Sequence, residues 1–203
     1  MHTPDPFADI ISMSDPFRPL MRWFDEAKAH PVLLPEAAQL ATVDAAGMPN
    51  VRTVLVKKPS AEGCVFYTNF NSRKGVELLA TRKAALLFYW RELGRQVRLR
   101  GGVAPVDDAT ADRYFEGRPR GSQIGAHASE QSAPLEARET FVHAIEDLAS
   151  RFGDRPIPRP PHWSGFRLTP ISIEFWQEGE HRLHDRVLFE KVEDTWRSTR
   201  LYP

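Results

Sequence analysis

An α+β fold built around a barrel-like antiparallel sheet is what the sequence predicts, on three observations. An amphipathic helix comes first, and most of the remaining chain alternates with the period of two expected for strands joined by short turns. The third observation is negative: no strand runs into a glycine-rich phosphate loop, so a Rossmann or P-loop architecture has no motif support.

In chain order, Asp15-Pro16 reads as a helix start, with Asp at N-cap and Pro at N1. Leu20, Trp23, Phe24 and Ala27 then recur at helical spacing until Pro31 ends the segment. Leu40–Val43 and Val51–Lys57 form two strands around the turn Asp44–Gly47, and Cys64–Thr68 makes a third. Asn71-Ser72 caps a short helix over 73–80, and Ala84–Trp90 reads as a fully buried strand. Arg91–Gly94 turns the chain into the alternating Gln96–Arg100. Asp107 caps a helix over 109–117 that Arg118-Pro119 ends. A longer helix over 135–152 carries Phe141, Ile145, Leu148 and Phe152 on one stripe, with Gly153 at its end. Four prolines between 156 and 161 make an extended linker. Strands over 171–177 and 182–190 flank the Glu178–Glu180 turn, and one near 196–201 closes the chain. The expected organisation is a mobile arm over residues 1–19, which shows no periodicity, and a single domain over 20–203.

Composition narrows the function. At 203 residues, 41% of them hydrophobic, the chain can bury a core without staples. The 27 Lys+Arg balance the 27 Asp+Glu, which disfavours bulk nucleic-acid or anionic-membrane binding, so an anion site must be a local cluster. Ala84–Trp90 is far shorter than a membrane span, and the first residues lack the basic and apolar regions of a secretory signal. Cys64 is the only cysteine, which points to a reducing compartment, most simply the cytoplasm, and to a buried hydrophobe rather than a nucleophile.

Three constellations carry candidate chemistry. Read as a strand, Arg182-Leu183-His184-Asp185-Arg186 presents Arg182, His184 and Arg186 on one face; this suits an anionic ligand and equally suits a solvated outer face. Tyr114 and Arg118 sit four apart on one helix face with Ser122 just beyond, a set able to hold a phosphate or to be a core tyrosine beside a surface arginine. Arg52, Lys57, Arg73 and Lys74 form a basic set, and the last two open a helix whose N-terminus favours phosphate. Strict alternation places Arg52 and Lys57 on opposite faces, so a common site needs a bulge, strong twist or a pocket shared by two subunits. His181 and His184 have no completing ligand pattern, so no metal is expected.

Taken together, several runs resemble the pyridoxine (pyridoxamine) 5′-phosphate oxidase family. They are Arg52–Lys57, Phe66–Asn69, Ser72–Lys74, Arg95–Val97, Tyr114–Gly125, Gln131-Ser132, Trp163–Arg167, Glu174–Gln177 and Arg182–Arg186, in the right order over most of the chain from Leu40. The resemblance implies an FMN-binding split β-barrel, homodimeric, with flavin sites at the subunit interface and C-terminal dimerisation strands at about 163–203. It implies an FMN site using Arg52, Thr53, Val54, Leu55, Val56, Lys57, Tyr67, Thr68, Arg73, Lys74, Gln96, Gln131, Ser132, Trp176 and Arg186. The substrate site it implies uses Lys57, Tyr114, Arg118, Ser122, Arg182, Leu183 and His184, with Arg182 and His184 catalytic and His184 able to accept or relay a proton. The implied reaction oxidises pyridoxine or pyridoxamine 5′-phosphate to pyridoxal 5′-phosphate with dioxygen as acceptor, releasing hydrogen peroxide, and ammonia from the amine. Two other readings remain: a related oxidase of a larger, phenazine-type metabolite, and a non-catalytic split-barrel protein that binds FMN or pyridoxal phosphate.

Overall fold

A computed structural model describes residues 7–57 and 59–203. Helices α1 (Ala8–Ile11) and α2 (Phe17–Ala29) precede strands β1 (Ala37–Val43), β2 (Pro49–Leu55) and β3 (Cys64–Asn69). Next come helix α3 (Arg73–Thr81), strands β4 (Lys83–Trp90) and β5 (Arg95–Pro105), and helices α4 (Asp108–Glu116), α5 (Arg120–Ala128) and α6 (Arg138–Phe152). Strands β6 (Trp163–Gln177), β7 (Asp185–Val192) and β8 (Thr195–Leu201) complete the chain. Among the described residues no helix is long and apolar enough to cross a membrane.

The strands form one antiparallel sheet in the order β2-β1-β4-β5-β6-β7-β8, with β3 paired to β6. The expected α+β antiparallel split barrel is therefore present. Its seam is narrow: among the described residues only Val56 bridges to Phe66 across the gap between the β2 and β3 ends, where the Lys57 N–H donates to the Val65 carbonyl at 2.7 Å. Strand β6 serves two neighbours on one edge, with Trp163–Leu168 against β3 and Ser172–Gln177 against β7. It bends between them at Pro170, which lies opposite Gly101 where the β5 register shifts. A bulge is where a strand tolerates a residue lacking an N–H. A Cβ on Gly101 would lie 2.0 Å from the Thr169 carbonyl oxygen, so the two backbones meet there only because Gly101 has no side chain. The 171–177 strand expected from sequence accordingly begins eight residues earlier.

Apolar spacing on α2 buries Leu20, Trp23, Phe24 and Ala27. Trp23 meets Phe175 edge-on with centroids 5.3 Å apart, and Phe24 meets Phe88 at 5.9 Å. The helix starts one residue later than expected: Pro16 takes the N-cap position, and the Asp15 carboxylate accepts the Phe17 N–H at 2.9 Å from outside. From Phe7 onward the expected arm carries core residues, since Phe7 and Ile10 are buried and Phe7 packs against Trp23 at 5.8 Å. Two apolar residues in one turn are too few to register as periodicity. Residues 1–6 of that arm lie outside the described residues. Strand β4 is buried on one face only, through Leu86, Phe88 and Trp90, and leaves Lys83 and Tyr89 exposed, unlike the fully buried strand expected.

A second, smaller core of Phe115, Ile124, Ile157 and Trp163 seats the helices α4 to α6 on the barrel. Here the sequence reading missed α5, a helix rich in glycine and polar residues. Helix α6 starts at Arg138 rather than 135, which frees residues 129–137 as a loop.

Candidate functional site

The basic set gathers around the N-terminus of α3. Ser72 caps the helix, its Oγ accepting the Gly75 N–H at 3.3 Å, so Arg73 and Lys74 stand at its positive end as expected. Lys74 Nζ donates to Thr68 Oγ1 at 3.1 Å, Ser72 Oγ at 3.3 Å and Gln131 Oε1 at 2.5 Å. All three partners are neutral oxygens. Burial, then the nearby Arg52 charge, lowers the Lys74 pKa, with Glu77 opposing them. The Arg73 N–H donates to Ser132 Oγ at 3.2 Å, which ties the 129–137 loop to the helix start.

Arg52 reaches the same region from β2 and is fully engaged with protein groups. Its Nη1 donates to the Leu40 carbonyl at 3.1 Å and to Thr42 Oγ1 at 2.5 Å, and its Nη2 pairs with Glu77 at 3.3 Å. Glu77 also accepts from the Thr42 hydroxyl and from Asn50 Nδ2 at 3.3 Å. Burial works against ionisation of Glu77, but the Thr42 and Asn50 hydrogen bonds and the Arg52 charge outweigh it and hold the carboxyl below its usual range. The sequence reading did not single out Thr42, Asn50 or Glu77. Only a carboxylate one helical turn beyond Lys74 hinted at the last of them.

A second group lies beside the first. Thr53, Val54, Leu55, Tyr67, Thr68, Lys74, Tyr114, Arg118 and Gln131 line one cavity of about 300 Å³. Tyr67 stacks on Tyr114 with centroids 3.8 Å apart, and Lys57 Nζ lies 4.7 Å from the Tyr114 ring centre. Lys57 lies just past β2, where Val56 bridges to Phe66 and the Lys57 N–H donates to the Val65 carbonyl; it keeps the parity of Thr53 and Leu55, which line this cavity, while Arg52 does not. Arg118 lies past the end of α4, not on its face as expected: the helix closes at Glu116, and the Arg118 N–H bonds the Phe115 carbonyl at 3.1 Å. Its guanidinium packs 4.6 Å from the Trp163 ring centre, and its Nη1 is buried without a hydrogen-bond partner among the described residues. Desolvation lowers its pKa, against a smaller opposing effect of Tyr114. A buried guanidinium nitrogen with nothing to donate to fits an incoming anion. Ser122, on α5, shares an adjoining cavity with Arg118.

The third group stands apart. Gln96, Trp176 and Arg186 line a cavity of about 330 Å³ with Leu87, Arg98, Glu174 and Pro203, and none of these lines the cavity of Tyr67 and Arg118. Buried Glu174 holds Arg186, whose Nε donates to Oε1 at 2.9 Å, and pairs with Arg98 on its other oxygen. The Arg182–Arg186 strand reading is corrected here. β7 begins only at Asp185, and Glu180–Arg182 form a short 3-10 turn. His181 and Arg182 have φ of 54° and 65°, so the period-two faces do not apply to Arg182 and His184. Leu183 is exposed, while the His184 ring packs 4.6 Å from Trp176. Among the described residues, no three potential metal-ligating side chains gather anywhere.

Cys64 is fully buried in β3, and burial pushes its thiol up to about 12. Native protein should therefore resist thiol alkylation at pH 8, and Cys64→Ala should retain full activity; rapid labelling of the folded protein would contradict this.

Residues 24–152 match the family model described as pyridoxamine 5′-phosphate oxidase, and residues 163–203 match the pyridoxine 5′-phosphate oxidase C-terminal dimerisation region. A pyridoxine/pyridoxamine 5′-phosphate oxidase of Rhizobium meliloti is 53% identical over 197 residues, 96% of each chain. Among solved structures, PhzG of Burkholderia lata in complex with tetrahydrophenazine-1-carboxylic acid superposes with a TM-score of 0.91 at 33% identity, covering 100% of this chain and 99% of that one. A pyridoxamine 5′-phosphate oxidase-related, FMN-binding protein of Nostoc punctiforme shares the fold with a TM-score of 0.73 at 18% identity, covering 95% and 100%.

Proposed function

Because the chain belongs to the pyridoxamine 5′-phosphate oxidase family, an FMN-dependent oxidoreductase family, we propose that it converts pyridoxine and pyridoxamine 5′-phosphate to pyridoxal 5′-phosphate. Dioxygen is the final acceptor, and the products include hydrogen peroxide and, from the amine, ammonia. The observation that carries the substrate assignment is the buried Nη1 of Arg118, which has no hydrogen-bond partner among the described residues, beside Tyr114 and Lys57. A phosphate oxygen both accepts from that nitrogen and balances the guanidinium charge, which a neutral substrate end does not.

Bound FMN would supply the electron sink for oxidation at the 4′ carbon of the substrate. The residues around it bind and orient. Arg73, Lys74 and the α3 N-terminus hold the FMN phosphate, helped by Ser132, while Thr68 and Gln131 keep Lys74 in place. Arg52, fixed by Glu77, and the Thr53–Val56 strand flank the cofactor with Lys57 and Tyr67. Gln96, Trp176 and Arg186 form a wall in a different cavity of the same chain. A homodimer in which the second copy supplies that wall completes the site. Lys57, Tyr114, Arg118 and Ser122 take the substrate phosphate, and Arg182, Leu183 and His184 lie by its ring.

The test is anaerobic titration of FMN-loaded protein with pyridoxine 5′-phosphate, following oxidised-flavin absorbance. Bleaching that reverses in air, with pyridoxal phosphate formed, is the expected result. Flavin that stays oxidised rejects this substrate and favours a larger, phenazine-type metabolite or a non-catalytic binding role. Arg182→Ala should slow flavin reduction at saturating substrate about a hundredfold, in the range of one positioned charge at a reacting centre. An unchanged rate with weaker binding would make Arg182 an anchor only.

A further inference from the structure

The loop that joins β6 to β7 folds back on itself, and its backbone makes a specific contact with the side chain of His184. The Gly179 N–H points at His184 Nδ1, 3.2 Å away. A backbone N–H can only donate, so Nδ1 must offer its lone pair, and a neutral imidazole then carries its proton on Nε2. The ring is steadied from the side by Trp176, whose centroid is 4.6 Å distant.

Two further features show that the loop is built for this geometry. A Cβ on Gly179 would lie 2.0 Å from the Leu183 carbonyl oxygen and 3.4 Å from the His184 Cα, so position 179 admits no side chain while the loop keeps its shape. His181 and Arg182 both adopt the left-handed region, which costs free energy in residues with a side chain and persists only where surrounding contacts impose it.

From these observations we infer that Gly179 is a positioning residue that fixes His184 as its Nε2–H tautomer, so that His184 meets the substrate as a hydrogen-bond donor and not as its proton acceptor. The inference rests on the proposed function for the substrate, but the tautomer itself does not. It replaces the proton-accepting or relaying role that the sequence resemblance left available to His184.

The experiment is 15N NMR of histidine-labelled protein loaded with FMN, with the His184 signals assigned by their loss in His184→Gln. Nδ1 should resonate as a bare, pyridine-type nitrogen and Nε2 as a protonated one; the reverse pattern overturns the inference. In Gly179→Ala the Nδ1 signal should shift, because the added Cβ meets the Leu183 carbonyl and displaces the 179 N–H. An unmoved signal also overturns it. Kinetics supply a separate arm. A glutamine amide reaches the place of Nε2, whereas an asparagine amide reaches that of Nδ1. His184→Gln should therefore retain flavin reduction about tenfold faster than His184→Asn, the worth of one hydrogen bond in the transition state. Equal or inverted rates contradict the donor role. If wild-type flavin is not reduced at all, the substrate assignment has failed, and the NMR result still decides the tautomer.

Discussion

Arg118→Ala should raise the dissociation constant for pyridoxine 5′-phosphate about a hundredfold and leave FMN affinity unchanged. Truncating one member of a buried, hydrogen-bonded charge pair commonly costs 2–5 kcal/mol, which a hundredfold loss represents. Part of the desolvation cost of this guanidinium is already met by the faces of Trp163 and Phe115, 4.6 and 5.6 Å from its centre. The incoming phosphate therefore finds a cation held flat against aromatic rings and needing little rearrangement. Arg118→Lys should recover only a fraction of the loss, because a lysine cannot stack or bind bidentately. Calorimetric titration of the FMN-loaded protein checks both variants. A wild-type constant in Arg118→Ala would remove the phosphate assignment at this position.

Glu77→Gln should cost about 3 kcal/mol of stability, the scale of breaking a buried ion pair by removing one partner. The side chains of Arg52 and Glu77 are 19% and 7% exposed, so the stranded Arg52 charge cannot simply be hydrated. FMN should dissociate more readily as well, since Arg52 loses the anchor that aims it. The pH dependence has a definite sign. The folded-state pKa of Glu77 lies below its ordinary value of 4.5, so its stabilisation is complete above the unfolded pKa and is lost as pH falls through the folded one. Urea midpoints measured from pH 7 down to pH 3.5 should fall more steeply for wild type than for the glutamine variant. Parallel slopes would show that Glu77 titrates alike in both states and is not part of a stabilising pair.

Legibility followed the range of the interaction. Local signals placed the Ser72 cap, the α2 stripe and the Gly153 helix end within a residue or so, because capping and periodicity act over one or two turns. The Pro170 bend hid half of β6, since what makes a proline acceptable there is a glycine about seventy residues earlier. Helix α5 went unseen because its helicity comes from packing Gln123 and Ile124 under α4 and not from its own composition. The basic cluster was legible as a set of cations, but the carboxylate that organises it was not. Glu77 sits 25 residues from Arg52, and only the folded sheet and helix bring the pair together. Arg182 and His184 were found through resemblance, although the period-two geometry assigned to them was wrong: left-handed φ angles at 181 and 182 carry no strand signature.

The double service of β6 sets a timetable for the newborn chain. Strand β3 at Cys64–Asn69 has its ladder partner at Trp163–Leu168, so its edge stays open until almost the whole polypeptide has been made. At 5–20 residues per second, that interval is roughly 5–20 s, during which the apolar side chains of Cys64 and Phe66 wait without their sheet. Such long-separated pairing makes for high contact order and slow folding. The barrel can therefore close only after the ribosome has released most of its C-terminal third, and a chain truncated before Trp163 should be captured by chaperones rather than accumulate as a half-formed flavoprotein.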